Sequence, residues 1–342
     1  MNKKDDFQYY VTRFLTSYMA GQRNLSRNTI SSYADTFRLL LIFFADEKGI
    51  RADKITLNQI SREHIVEFLD WLEETRGVTA ATRNIRLAAI HSFIRFVQIE
   101  DPTHLDEYRK ILGIKNKKCQ TREIPYLTID QVKAILSAPD STTKQGFRDK
   151  VLMTTLYDSA MRVDELIYMR ISNVRLSPPA TVKITGKGSK ERIVPLMGNT
   201  AELLNKYIEE NDLKRKQYSS QEFLFVNHSN KPLTRAGVAY IIDKYVAIAN
   251  ETGANITIEV HPHIFRHSKA VHLLEGGVEL IYIRDILGHT SVKTTEIYAR
   301  VCNAKKRAAL EKAYEEVTEQ SEDDWSKNED LMSWLVGLSK RK

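Results

Sequence analysis

The sequence predicts a mainly α-helical chain with a small β-sheet, split between two domains. A length of 342 residues exceeds the roughly 100–200 residues of a usual single domain. Apolar residues recur three and four positions apart through most of the chain, the rhythm of helices with one buried face. One stretch, Ala180 to Leu196, departs from it with alternating β-branched residues about a Gly-rich turn, the pattern of a hairpin.

Phe7, Tyr10, Val11, Phe14, Leu15, Tyr18 and Met19 fall on one face of a first helix. A second follows Ser26 or Asn28 as N-cap and buries Ile30, Tyr33, Phe37, Leu40, Leu41 and Phe44. Ser61 caps a third, with Ile65, Phe68, Leu69 and Leu72 inward. Thr79 opens a fourth, with Ile85, Ala88, Ala89, Phe93, Phe96 and Val97. Four such helices close into a small bundle over residues 1–112. From Gly113 to Ile124 the periodicity fades and Lys115, Lys117, Lys118 and Arg122 cluster, so 113–124 reads as a basic interdomain linker.

A second domain is expected over residues 125–314. Thr128 and Gln131 have the spacing of a capping box, and Val132, Ile135 and Leu136 follow on one helix face. Arg148 to Tyr157 is another apolar-rich helix. The hairpin runs through Thr181–Thr185, turns at Gly186–Ser189 and returns over Lys190–Leu196. Helices resume after Thr200 and continue to about Ala313. Residues 315–342 form an acidic linker and then a short helix with Leu331, Trp334, Leu335 and Leu338 on one side. That stripe needs a surface to cover, on its own domain or, in trans, on a neighbouring subunit.

The balance of 42% hydrophobic and 28% charged residues is that of an ordinary globular protein. No uninterrupted apolar run approaches the roughly 20 residues of a membrane span. The N-terminus lacks the apolar core of a signal peptide. Cys119 and Cys302 stand alone, which argues against a disulfide framework or a metal knuckle and for a reducing, cytoplasmic setting. The net charge of +7 favours a polyanionic partner. Residues 1–112 hold sixteen Lys/Arg against fifteen Asp/Glu, so any DNA-facing surface there must be a local patch.

The chemistry concentrates in a few positions. His263-Ile264-Phe265-Arg266-His267 puts a His and an Arg three apart on one helix face. Leu287-Gly288-His289 and then Tyr298 follow. Together they offer an anion clamp, proton-transfer groups and a nucleophile, which suits cutting a phosphodiester without a metal. Upstream, Arg162 stands in Ser159-Ala160-Met161-Arg162-Val163-Asp164-Glu165-Leu166, and Lys187 in the Gly186-Lys187-Gly188-Ser189 turn.

In these elements the chain resembles the tyrosine recombinases of the phage-integrase type. The matching features are the Arg before a Glu-Leu pair, the Lys in a Gly-Lys-Gly hairpin, His-x-x-Arg-His, Leu-Gly-His and Thr294-Thr295-Glu296-Ile297-Tyr298. The resemblance runs from the first helix to about residue 314 and is to the shorter, Xer-like layout, without an arm-binding domain. Phe265 stands where the family more often has Leu, an apolar exchange.

The resemblance implies an N-terminal four-helix SAM-like DNA-binding domain and an α+β tyrosine-recombinase catalytic domain. It implies catalytic roles for Arg162, Lys187, His263, Arg266, His289 and Tyr298, and the physics of each fits. Two guanidinium forks can hold the nonbridging oxygens as charge builds on them. His263 is expected to exchange a proton with the tyrosine hydroxyl, and His289 to donate to phosphate. Tyr298 is the expected nucleophile; a hydroxyl with pKa near 10 needs deprotonation and a cationic setting. Lys187 would protonate the departing 5′ oxygen. No cofactor is implied, since cationic side chains supply the charge that a metal supplies in other phosphoryl transfers, and resealing draws on the phosphotyrosine bond rather than ATP.

Thr79, Thr82, Arg83 and Arg86, in the first turns of the fourth helix, are candidate DNA contacts. So are Lys115, Lys117 and Lys118 in the linker, Lys190 and Arg192 in the hairpin, and Arg235. The implied partners are double-stranded DNA with inverted-repeat core sites, three further copies in a homotetramer on two synapsed sites, and accessory proteins, with no membrane. The leading expectation is site-specific recombination through a 3′-phosphotyrosine and a Holliday junction, serving integration, excision or transposition of a mobile element. Replicon-dimer resolution, a type IB topoisomerase and a non-cleaving DNA-binding regulator on the same fold are the alternatives. A metal site built on the His pairs is disfavoured by the lack of carboxylate partners.

Overall fold

The computed structural model describes residues 7–119, 124–186, 190–211, 222–289 and 291–301. The chain divides into two compact units, between Arg122 and Glu123. It is mostly helical with one small sheet, as the sequence predicts. Among the described residues no helix is long and apolar enough to cross a membrane.

In the first unit α1 (Phe7–Arg13) runs on through a π-helical stretch, Phe14–Gln22, which keeps Phe14 and Met19 buried. Then come α2 (Arg27–Lys48), α3 (Arg62–Glu74) and α4 (Ala80–Glu100). Their starts are set by side-chain caps: Ser26 accepts from the Thr29 amide, Ser61 from His64 and Thr79 from Thr82. Helix α2 stops at Gly49, whose φ of 63° lies in the left-handed region that glycine tolerates. The core is aromatic: the rings of Phe7, Phe14 and Phe37 surround Phe93 with centroids 5.5, 5.5 and 5.1 Å away.

A fifth helix, α5 (Leu105–Leu112), was not expected from the sequence. Its eight residues span barely two turns and bury only Tyr108 and Ile111, too few to establish a period. The segment after it is less free than a linker. Ile114 is buried, and the Asn84 side chain on α4 accepts from the Lys117 amide and donates to the Lys117 carbonyl. Arg122 lies outside the described residues.

The second unit opens with α6 (Ile129–Ser137), where Thr128 and Gln131 form the expected reciprocal capping box. Next are α7 (Lys144–Ser159) and the short α8 (Val163–Ile167). The hairpin is β2 (Thr181–Thr185) paired antiparallel with β3 (Glu191–Pro195), and β1 (Val174–Arg175) adds an edge, giving the order β1-β2-β3. Val182, Ile184 and Val194 point inward. Helices α9 (Gly198–Glu210), α10 (Arg235–Glu251), α11 (Pro262–Glu275), α12 (Leu280–Leu287) and α13 (Glu296–Val301) complete it. A small apolar cluster joins Ala160, Ala270, Val271, Leu274, Ile283 and Leu287 to Tyr298, so the tyrosine ring is itself core. The acidic linker and the terminal helix expected over 315–342 lie outside the described residues.

Candidate active site

Helix α7 ends at Ala160, a non-glycine residue held at φ 49°. That left-handed turn costs an L-residue about 1–2 kcal/mol, and it presents the Ala160 carbonyl to Arg266 on α11. Arg266 Nη1 donates to that carbonyl and Nη2 to the Leu287 carbonyl, each at 2.6 Å. The second acceptor lies at the C-terminus of α12, where the helix dipole favours a cation. Nη2 also lies 3.1 Å from His289 Nε2. Arg266 is 2% exposed, and among the described residues no carboxylate lies within ion-pair distance of it. Burial first, and the Arg162 charge second, push its pKa down to about 10, so it stays charged at neutral pH.

Arg162 caps α8. Glu165, three residues on, accepts from the Arg162 amide at 2.7 Å and from Arg162 Nη1 at 2.9 Å. The Arg162 side chain remains 38% exposed. It faces an open cavity of about 650 Å³ that is also lined by Gly186, Lys190, Gly288, His289 and Thr294. His289 follows Gly288, whose φ of 63° ends α12. Because Arg266 can only donate, His289 Nε2 is the acceptor, and Nδ1 donates to Thr295 Oγ1 at 3.0 Å. Burial and then the Arg266 charge push the His289 pKa down to about 4.

Tyr298 on α13 is 1% exposed. Its hydroxyl lies 2.8 Å from His267 Nδ1. His263 does not hold it; its ring stacks on that of His267 with centroids 5.8 Å apart. The expectation that His263 meets the tyrosine is corrected in this arrangement. Positions 263 and 267 share a face of α11, one turn apart, and the later one lies against α13. Burial first, then the charge of His263, push the His267 pKa down to about 4, so the hydroxyl donates and the neutral ring accepts. Burial raises the Tyr298 pKa, while Arg266 and Arg162 pull it back. His263 is lowered by burial and then by Arg266.

Lys187 lies outside the described residues. Its flanks close the hairpin, with the Gly186 amide donating to the Lys190 carbonyl at 2.8 Å. Gly186 and Lys190 both line the cavity that Arg162 and His289 share.

The candidate DNA contacts separate. Lys115 and Lys118 are exposed, and Lys190 is exposed at the cavity. Thr79 and Thr82 are at the exposed start of α4 with hydroxyls 3.2 Å apart, but Thr79 is already the helix cap. The expected phosphate roles of the arginines nearby do not fit their surroundings. Arg83 is 4% exposed, with Nε 3.3 Å from Glu73 Oε2 but not aligned for a hydrogen bond. Arg86 is half-buried and bonds Asp35, the Ser32 carbonyl and Thr36. The outward face of α4's first turn therefore carries neither guanidinium. Lys117 pairs with Glu73 at 2.5 Å and Arg235 with Asp164. Arg192 turns inward, onto Glu165.

Two residues at this site escaped the sequence reading as participants, Glu165 and His267. Glu165 carried a signal, since an acid three residues after a helix-start residue is the capping-box spacing. His267 is four residues beyond His263 and so on its face, but two such histidines look alike until α13 is placed. Among the described residues no group of three His, Cys, Asp or Glu is arranged to hold a metal ion.

Comparison with known proteins gives the family and the fold. Residues 125–305 match the Phage integrase family, and residues 11–100 match the Phage integrase, N-terminal SAM-like domain. A putative integrase/recombinase, y4rC, of Sinorhizobium fredii is 34% identical over 91% of this chain and 93% of its own length. The tyrosine recombinase XerD of Halalkalibacterium halodurans is 33% identical over 84% of this chain and 91% of its own. The XerH site-specific recombinase bound to a palindromic difH substrate shares the fold, with a TM-score of 0.66 at 23% identity over 88% of this chain and 84% of that one. The Tn1549 transposon integrase bound to transposon right-end DNA does so with a TM-score of 0.66 at 16% identity, over 88% and 98%.

Proposed function

The chain belongs to the phage integrase family and is a tyrosine recombinase, an enzyme of site-specific DNA recombination; from that premise we propose that Tyr298 cuts one strand of each duplex and is carried through the exchange as a 3′-phosphotyrosine. The observation that supports this most is the buried Arg266, held by two carbonyls and no described carboxylate beside the exposed edge of Arg162. Two cations so placed have an unmet demand for an anion. A phosphodiester satisfies it, and does so best when charge builds on the nonbridging oxygens.

In the step proposed, Tyr298 Oη bonds to phosphorus and the bond from phosphorus to the 5′ oxygen breaks. The phenolic proton leaves to a histidine, and His267 is the one within hydrogen-bond reach. A neutral ring with its pKa at about 4 is a weak base at rest. A bound phosphate next to Arg266 adds negative charge and raises that affinity. Lys187 delivers a proton to the 5′ oxygen. His289, expected to donate to the phosphate, instead accepts from Arg266 through Nε2 and gives its Nδ1 proton to Thr295, so its role is to hold the Arg266 guanidinium in place. Attack by the 5′ hydroxyl of the partner strand reverses the chemistry and yields the Holliday junction. With Tyr298 1% exposed, α13 must shift to bring the hydroxyl to a phosphate in the cavity.

Four copies on two inverted-repeat sites are the assembly this exchange calls for, with the segment beyond 328 docking on a neighbouring copy, and a DNA substrate places the work in the cytoplasm. The biological role proposed is movement of a mobile element; y4rC, alike over 91% of the chain, is itself named a putative integrase/recombinase. Replicon-dimer resolution is the second reading, kept because the XerD relatives at 33% identity are named tyrosine recombinases and not integrases. Deleting the gene separates them: loss of element excision with normal chromosome segregation supports the first, and the reverse supports the second.

The chemistry is tested with a nicked suicide duplex carrying the element's ends or the chromosomal dimer site. The parent chain should form a covalent DNA adduct that Tyr298→Phe cannot form while still binding. An adduct that persists in Tyr298→Phe, or none from the parent on either site, overturns the assignment.

A further inference from the structure

Arg192 looked from the sequence like a phosphate contact, yet every nitrogen of its guanidinium points into the protein. Nη1 and Nη2 make a bidentate pair with Glu165, at 2.9 Å to Oε1 and 2.7 Å to Oε2. Nε donates to the Ile286 carbonyl at 2.8 Å. The Arg192 side chain is 11% exposed and that of Glu165 5%. One side chain on β3 thus ties the start of α8, where Arg162 sits, to the end of α12, just before His289.

The backbone is shaped around this strap. A Cβ on Gly288 would stand 2.9 Å from Arg192 Cδ, 3.0 Å from Nη1 and 3.2 Å from Cζ. A Cβ on Gly186 would stand 3.1 Å from Glu165 Oε1. Two glycines from separate loops leave the room that the Arg192–Glu165 pair fills.

Resting on the proposed role of Arg162, we infer that Arg192 is a positioning residue: it engages Glu165 so that Arg162 keeps its charge and its free edge for the DNA phosphate. The carboxylate divides its two oxygens between two arginines. Oε1 takes Nη1 of both, and Oε2 takes the Arg162 amide and Arg192 Nη2. Arg192 meets it with a full planar fork, the strongest geometry for such a pair, whereas Arg162 gives it one nitrogen from the side chain. Without Arg192 the same buried carboxylate has Arg162 as its nearest cation. A buried carboxylate requires compensation, so it draws a second Arg162 nitrogen away from the cavity and neutralises the charge the phosphate needs.

The test is single-turnover cleavage of the nicked suicide duplex at saturating protein. The amplitude reports the folded, bound fraction, and the rate constant reports the site. Arg192→Gln should lower the rate constant about 10–100-fold, the range for the analogous partners that orient metal ligands without touching the metal. Adding Glu165→Gln removes the competing charge, so the double variant should cleave faster than Arg192→Gln alone. Arg192→Lys keeps the charge but not the fork, and should fall between parent and Arg192→Gln. If Arg192→Gln does not fold, Arg192→Lys with and without Glu165→Gln is read the same way. A loss confined to amplitude, or a double variant no faster than its single, overturns the inference. Failure of the parent to form an adduct at all overturns instead the reading of the site.

Discussion

Two pairs of arginines, one in each unit, differ in whether a carboxylate cancels the charge where it is buried. Arg83 and Arg86 on α4 are shielded and face carboxylates, Glu73 and Asp35. Arg266 is just as shielded, but its fork rests on the carbonyls of Ala160 and Leu287. Arg162 shares its carboxylate with Arg192. In the first pair the charge is cancelled where it is buried. In the second it is held in place and left largely uncancelled. Carbonyl dipoles can orient a guanidinium without neutralising it, so the remaining field is available to an anion.

The contrast is broken most directly at Arg266. Arg266→Lys retains the charge but cannot reach both carbonyls at once. The cleavage rate constant on the suicide duplex should drop by about 10²–10³-fold, as for loss of one preorganised donor. A drop below tenfold would mean that the fork is not part of the phosphate clamp. Arg83→Met should act in the other way. Glu73 keeps Lys117 but loses its buried partner, and unfolding in urea should show the first unit weaker by about 1–2 kcal/mol, with the rate constant of the folded fraction little changed. Equal cleavage losses in both variants would erase the distinction.

A smaller effect concerns pH. His267 and His289 have folded pKa values of about 4 against an ordinary 6.5. The unfolded chain therefore binds protons that the folded chain resists. Their contribution to stability is complete above about pH 6.5 and declines as pH falls toward 4. Melting temperature against pH should show that decline, and His267→Gln should flatten it. An unaltered slope would mean that His267 is not held neutral. Smallest is Thr79→Ala, expected to cost about 1 kcal/mol as a lost helix cap. A tenfold loss of DNA affinity with no loss of stability would return Thr79 to the DNA-facing surface.

Much of the fold is legible in the sequence because its signals are local. Ser26, Ser61, Thr79 and Thr128 mark helix starts that the structure reproduces, since a cap involves residues three apart. The hairpin around Gly186 follows from alternation and a Gly-rich turn. Helix α5 and strand β1 were missed because eight and two residues carry too little periodicity to register. Lys117, expected in a free basic linker, is pinned by Asn84, a contact thirty-three positions away along the chain.

The sequence by itself determined most of the elements that form and singled out Arg162, Arg266, His289 and Tyr298 as candidates through short motifs. It could not decide which histidine meets the tyrosine, because His263 and His267 share a helix face and α13 selects between them. Nor could it decide which arginines keep their charge. That depends on what lies opposite each fork after folding: Asp35 for Arg86, Glu165 for Arg192, and for Arg266 a carbonyl 106 positions away. Electrostatic compensation is a property of packed neighbours and burial, and only the tertiary structure supplies both.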